Sequence, residues 1–309
     1  MRALLPVLLA IRRRCMTLPL FCCIGLMTAS CAYAQSTSST AQPDRGLFWK
    51  VEKDGRTSYL LGTVHAWKRE WLPLNPMIEK AFADSKTLAV ELDASKMDMA
   101  NAVQRMLLAG NDTLEARLGK SLYEQTKIEA AKLQVPEAAI AKIKPWGAML
   151  VLASTKLQQL GFSPDAGIDN YLIQKAGASG KRLIELESGD QQLAMMDGLS
   201  SRLQNAMLGE FLANIDGTPQ IIADIFSAWK KGDTDAAYQL NQKGLNDAEA
   251  KREFDDKFLY QRDVAMTRKI EELLRQPGPH FIAVGSLHLV GPKSIVEQLK
   301  AKGYRVEQI

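Results

Sequence analysis

The 309-residue chain holds four cysteines, and all of them (Cys15, Cys22, Cys23 and Cys31) fall within its first 31 residues. From Ala32 onward there is none, which excludes disulfide bonds, a thiol nucleophile and cysteine metal ligands from nearly all of the chain. Histidine is almost as scarce, with three residues in total: His65, His280 and His288. A G-x-S-x-G elbow is absent, so a serine hydrolase of the α/β type lacks its nucleophile. So are the H-E-x-x-H metalloprotease helix, the P-loop and the glycine fingerprint of dinucleotide binding. Excess charge is missing too. Of 39 basic residues, Arg2, Arg12, Arg13 and Arg14 stand in the first fourteen positions, leaving 35 against 35 acidic residues. A balanced chain gives no electrostatic reason to expect nucleic acid or an anionic membrane as partner.

What is present begins with a leader. "RRR" at 12–14 precedes the apolar run "MTLPLFCCIGLM" and the small-residue stretch "TASCAYAQS". Ala32-Tyr33-Ala34 forms an A-x-A-like cleavage site, so residues 1–34 are expected to be a secretion signal and the mature chain to start near Gln35. The apolar run falls short of the roughly 20 residues that a membrane-spanning helix needs. The location expected is therefore periplasmic or secreted, with no membrane span after cleavage. Met16 is an alternative start to Met1. Cys31 would suit lipoprotein processing, against which Thr28 stands where a large aliphatic residue is usual. Residues 35–45, "QSTSSTAQPDR", read as a flexible polar linker, and residues 46–309 as one domain. With 46% hydrophobic and 24% charged residues, the chain has the composition of a globular protein that buries a core.

Within that domain "LFWKVEKDGRTSYLLG" predicts a hairpin turning at Asp54-Gly55. "LPLNPMIEKAFADS" predicts a helix capped by Asn75 with Pro76 in its first turn. Short strands are expected at "TLAVEL" (87–92) and "KRLIELES" (181–188). The stretches from about Lys96 to Lys175 and from Asp190 to Arg275 are helical in pattern. "HFIAVGSLH" predicts a strand, "PKSIVEQLKAK" a helix stopped by Gly303, and "YRVEQI" a closing strand. Strands alternating with helices at both ends of a mainly helical middle make the fold class α/β, with α+β as the variant.

Two of the three histidines sit in matching contexts. "YLLGTVH" places His65 three residues after Gly62, and "FIAVGSLH" places His288 three residues after Gly285. Each is an apolar strand that ends in G-x-x-H. "LAVELD" ends in Glu91 and Asp93, and "LIELES" in Glu187. Groups at the carboxyl ends of parallel strands share a crevice. Two imidazoles with carboxylates there would make a nitrogen-and-oxygen metal site or an acid/base set. Glu91, in an apolar strand, needs a partner or a metal to offset its burial. Asp93 serves equally well as a helix cap, and Glu187 as a solvated strand end. His280, between Pro279 and Phe281, reads as a loop residue. Arg262 and Asp263, mid-helix, read as solvated charges, and Trp146 in "KPWGAML" as a packing anchor.

The order and spacing of "LLGTVH", "LAVELD", "KPW", "GIDNYL", "KRLIELESGDQQL", "WKKGD", "YQRDVAM" and "VGSLHLVGPKSIVEQLKAKGYRV" resemble the TraB/PrgY/GumN group, which includes the Tiki metalloproteases. The group is distantly similar to erythromycin esterase-like and ChaN-like haem-binding proteins. The resemblance spans residues 46–309. It implies two βα-containing halves whose G-x-x-H motifs meet at one site, with His65, His288 and Glu91 carrying the activity. It also brings in Arg262, because the late helix of the group usually bears an Arg-Asn pair. Here the pair is Arg262-Asp263, with a carboxylate replacing the amide. Glu187 and Gln191 match the pattern as well.

The combined expectation is an exported, metal-dependent hydrolase acting on peptide or protein substrates. His65, Glu91 and His288 would bind a divalent cation (Mn, Co or Zn). Glu187 or Asp93 would accept a proton from water, and Arg262 would stabilise the oxyanion. Two alternatives stand beside it: a non-catalytic periplasmic protein that binds metal or haem, and a hydrolase that uses its histidines without metal.

Overall fold

A computed structural model describes residues 44–309. The expected signal peptide, and the linker apart from Asp44 and Arg45, lie outside these residues. The chain opens with an antiparallel hairpin, β1 (Phe48–Lys53) and β2 (Arg56–Thr63). Asp54 (φ 51°) and Gly55 (φ 72°) both take the left-handed conformation that a tight two-residue hairpin turn requires. Asn75 accepts a hydrogen bond from the Met77 N–H (2.7 Å) and starts the helix Pro76–Asp84.

The remaining strands are β3 (Thr87–Val90), β4 (Arg182–Glu185), β5 (His280–Gly285) and β6 (Arg305–Gln308). The six form a mixed sheet in the order β4-β3-β5-β2-β1-β6. The four strands β4, β3, β5 and β2 run parallel, and β1 is antiparallel to both of its neighbours. Every residue of β3 and of β5 is buried, as expected for parallel strands covered on both faces. Helices fill the intervals, and Trp146, in the first turn of Pro145–Gln159, is fully buried. The α/β class and the helical middle thus stand as expected. Among the described residues no helix is long and apolar enough to cross a membrane.

The elements differ from expectation at their ends. β3 stops at Val90 and β4 at Glu185, so Glu91 and Glu187 lie just past their strands. β5 stops at Gly285, and Ser286–His288 form a single 3₁₀ turn. His280 is not a loop residue. It is the first residue of β5, is 3% exposed, and its Nε2 lies 3.3 Å from the Gln276 carbonyl. The preceding Pro279 hides the start of the strand, but the His280 N–H is still satisfied by Ser58 Oγ at 3.1 Å.

One topological fact creates the site. β5 follows β2 by more than two hundred residues, yet it inserts between β2 and β3, pairing Thr63 with Gly285 and Val90 with Ala283. The carboxyl ends of four parallel strands therefore stand side by side and deliver, in order, Glu187, Glu91, His288 and His65.

Candidate functional site

Each of the two histidines at the strand ends is held by an aspartate. His65 Nδ1 lies 2.6 Å from Asp169 Oδ2, and the Thr63 hydroxyl donates to Asp169 Oδ1 at 2.6 Å. His288 Nδ1 lies 2.5 Å from Asp263 Oδ1. An aspartate on Nδ1 fixes the ring and leaves Nε2 as the working nitrogen. Both working edges turn toward Glu91. His288 Nε2 is 3.6 Å from Glu91 Oε1. A β-carbon placed on Gly285 would lie 3.0 Å from Glu91 Oε1, 3.3 Å from His65 Nε2 and 3.6 Å from His288 Cδ2. The three side chains therefore crowd over this glycine.

That crowding explains both glycines of the paired motif. Neither has a positive φ, so the reason for glycine is close approach and not a turn that only glycine can adopt. A β-carbon on Gly62 would sit 2.9 Å from Ser286 Oγ and 3.1 Å from Leu47 Cβ. The Trp229 indole N–H donates to the Gly62 carbonyl at 2.6 Å, pinning the helix Thr218–Lys231 against β2.

Glu91 is bound on both oxygens. Oε1 accepts the Gly285 N–H (2.6 Å) and Oε2 accepts Arg262 Nη2 (2.6 Å). Arg262 also donates from Nε to Glu187 (2.9 and 3.0 Å), from Nη2 to Glu187 Oε2 (2.6 Å) and from Nη1 to the Phe258 carbonyl (3.1 Å). Gln192 Nε2 reaches Glu187 Oε2 at 3.0 Å. In this arrangement Arg262 and Glu187 secure Glu91. The guanidinium is directed at carboxylates, and both Glu187 oxygens are taken up. Gln191 completes a reciprocal capping box with Ser188 at the start of the helix Gly189–Asp197, which sets the chain leaving Glu187 and orients Gln192. Asp93 stands away from this cluster. It caps a 3₁₀ turn by accepting from the Ser95 N–H (3.1 Å) and from the Ser95 hydroxyl (2.6 Å).

The field of the cluster is negative. Glu91 and Glu187 bind the one guanidinium, Arg262, while Asp169 and Asp263 stand behind the two imidazoles. Burial works against ionisation of Glu91, but His288, Arg262, His65 and the Gly285 N–H outweigh it and hold the carboxyl well below its ordinary range. For His65, burial favours the neutral ring, yet Asp169 and then Glu91 push the imidazole up to about 9. Asp263 is raised, mainly by burial, with His288 opposing. Four acids outnumber Arg262 and the raised His65 imidazole, so the site has more acidic than cationic groups.

Asp169 and Asp263 are the residues that sequence reasoning passed over. Asp169 lies within "GIDNYL", and its signal was no more than the motif around it. Asp263 is the departure from Arg-Asn, and a carboxylate oxygen there accepts from the His288 ring as an amide oxygen would. Both Arg262 and Asp263 are buried, at 8% and 1% exposure, whereas Val264 on the same helix is 62% exposed. The first turn of this otherwise amphipathic helix turns these two charges inward, while Arg268 and Glu272 farther along it stay exposed. A π-helical segment, Asp255–Tyr260, runs directly into this helix, the kind of irregularity that recurs at functional sites.

The cluster forms the polar end of a cavity of about 170 Å³ whose other walls include Ile225, Phe226, Trp229, Leu240, Phe254 and Phe258. Among the described residues no group of three or more His, Cys, Asp or Glu side chains is arranged to hold a metal ion as it stands. The donor chemistry is nevertheless that of a cation site. Two imidazoles carry carboxylates on Nδ1, which is the usual support of metal-binding histidine. Glu91 lies between them, and the surroundings carry excess negative charge.

Comparison with known proteins agrees with the motif pattern. The chain is 26% identical over 245 residues to the uncharacterized protein YbaP of Shigella flexneri and to that of Escherichia coli (strain K12), covering 79% of this chain and 88% of each relative. It is 24% identical over 320 residues to metalloprotease TIKI1 of Danio rerio, covering 87% of this chain and 64% of that protein. No solved structure matches the chain significantly. The TraB/PrgY/gumN family description matches residues 47–308. Running from the residue before the first strand to the end of the last, that match means that the chain belongs to the TraB/PrgY/gumN family.

Proposed function

We propose that the protein is an exported metal-dependent hydrolase of peptide or related amide bonds. The observation that carries this reading is the pair of aspartate-anchored imidazoles whose Nε2 edges face Glu91 across Gly285. His65, His288 and Glu91 would hold a divalent cation. When bound, such an ion lowers the pKa of water and polarises a carbonyl. The protein's own groups do the rest. Asp169 and Asp263 keep each Nδ1 protonated and each ring in place. Arg262 and Glu187 fix Glu91, and the apolar cavity wall excludes bulk water from the reacting carbonyl. The similarity to metalloprotease TIKI1 supports the class of reaction.

The deciding experiment is turnover of a peptide library by the purified mature protein, with and without chelator, alongside elemental analysis of bound metal. Turnover that vanishes with chelator and returns with one divalent ion supports the proposal. A second reading rests on the same aspartate–histidine pairs, which are also the arrangement of a general base that works without metal. Turnover that survives complete chelation would establish that reading instead.

A further inference from the structure

The cavity beside the cluster has a composition of its own. At about 170 Å³ it is close to the size of an apolar cavity, about 150 Å³, that accepts a benzene ring. Its walls are aromatic and branched aliphatic. Phe226 packs edge-on to Trp67 with ring centroids 4.8 Å apart, and Phe254 stacks on Phe258 at 4.7 Å. Such contacts give the cavity a set shape. Ile222 and Phe226 also line a surface cleft next to it.

Besides the two imidazole Nε2 atoms, one polar group in the cavity is left over. Thr63 donates to Asp169, Ser286 Oγ donates to the Thr63 carbonyl at 2.9 Å, and the histidines, Glu91 and Arg262 bond to one another or to the aspartates. Asn241 lines the cavity, and a small one next to it, and is only 5% exposed; its side-chain amide makes no hydrogen bond to another described residue. Its amide atoms are not sealed off within the protein, so they remain open to a ligand that completes them. An Asn side chain offers both a donor and an acceptor, which matches one peptide unit.

We propose that this cavity is the specificity subsite: it takes one bulky apolar side chain, aromatic or branched, and Asn241 hydrogen-bonds the peptide amide that adjoins it. The substrate class is then a peptide with such a residue next to the scissile bond. This assignment rests on the hydrolase reading for the identity of the bond cut, but the binding itself does not depend on turnover.

The test is calorimetric titration of the mature protein with three probes: N-acetyl-phenylalanine amide, N-acetyl-glycine amide and toluene. The phenylalanine amide is expected to bind at least about tenfold more tightly than the glycine amide, from burial of the ring. Asn241→Leu keeps the volume and removes the amide. It is expected to weaken the phenylalanine amide by about tenfold, the worth of a buried hydrogen bond, and to bind toluene as the wild type does. Ala237→Phe, which fills the cavity from its wall, is expected to abolish binding of both aromatic probes. If that variant does not fold, Ile225→Ala enlarges the same space and is expected to improve binding of the larger N-acetyl-naphthylalanine amide. Equal binding of the two amides, or an Asn241→Leu protein that binds phenylalanine amide like wild type, would overturn the assignment. Toluene binding without any preference between the amides would also overturn it, leaving only a packing void. If the binding pattern holds while no peptide is cleaved, the subsite stands and the hydrolase reading fails.

Discussion

Replacing Arg262 by methionine tests the arrangement of the site without reference to any reaction. The guanidinium is 9% exposed and bridges Glu91 and Glu187, whose side chains are 6% and 9% exposed. Arg262→Met keeps most of the volume and leaves two carboxylates buried without their cation. Breaking a buried pair in this way costs about 3–5 kcal/mol, because the partner charge stays uncompensated. For a protein of this size that corresponds to a fall in melting temperature of roughly 6–20 °C, at about 2–4 °C per kcal/mol. Neutralising the stranded acids should reverse the loss. Arg262→Met combined with Glu187→Gln is expected to recover about half, and adding Glu91→Gln most of the remainder, since a neutral buried cluster avoids the desolvation of charge. The triple variant is then stable and inactive. Denaturant and thermal unfolding of the four proteins supply the measurement. An Arg262→Met protein within about 1 kcal/mol of wild type, the worth of a solvated surface pair, would refute the buried bridge and with it the anchoring of Glu91.

His65→Ala and His288→Ala are each expected to abolish metal-dependent turnover. The double variant should be hardly worse than either single one, as for groups that act as a unit; effects that add in free energy would separate the two histidines. His280→Ala, at the far end of β5, should cost stability and leave metal content and turnover unchanged. Asp263→Asn preserves an acceptor for the His288 ring and should stay within about tenfold of wild-type turnover, whereas Asp263→Leu should lose more, up to about 100-fold, the usual range for removing an outer partner of a ligating histidine being about 10–100-fold. Loss of activity with Asn as severe as with Leu would show that the charge matters, and not merely the acceptor. Gly285→Ala places a methyl 3.0 Å from Glu91 Oε1 and 3.3 Å from His65 Nε2. It should impair turnover more than unfolding resistance, because the backbone φ of −51° suits alanine. Mass spectrometry of the exported protein should give a start near Gln35 and no thiol; an intact leader or a lipid on Cys31 would contradict the reading of residues 1–34.

The sequence by itself determined the elements whose causes are local. The Asp54-Gly55 turn, the Asn75 cap and the apolar runs of β3 and β5 each follow from residues within a few positions of one another. It also marked His65, His288 and Glu91, because a histidine three residues past a strand glycine, or a glutamate ending an apolar strand, is conspicuous in one dimension. The strand order was not legible. Nothing in β2, β3 or β5 announces that the last inserts between the other two, yet that insertion brings His65 and His288 to one edge. Nor were the partners of the site legible. Asp169 meets His65 across 104 residues of chain, and Arg262 meets Glu187 across 75 and Glu91 across 171. A charged residue in a helix is solvated by default, and only an opposite charge already buried opposite it reverses that preference. That opposite charge is supplied by tertiary structure, so Arg262 and Asp263 looked like surface residues in sequence and became the inner face of the site in the fold.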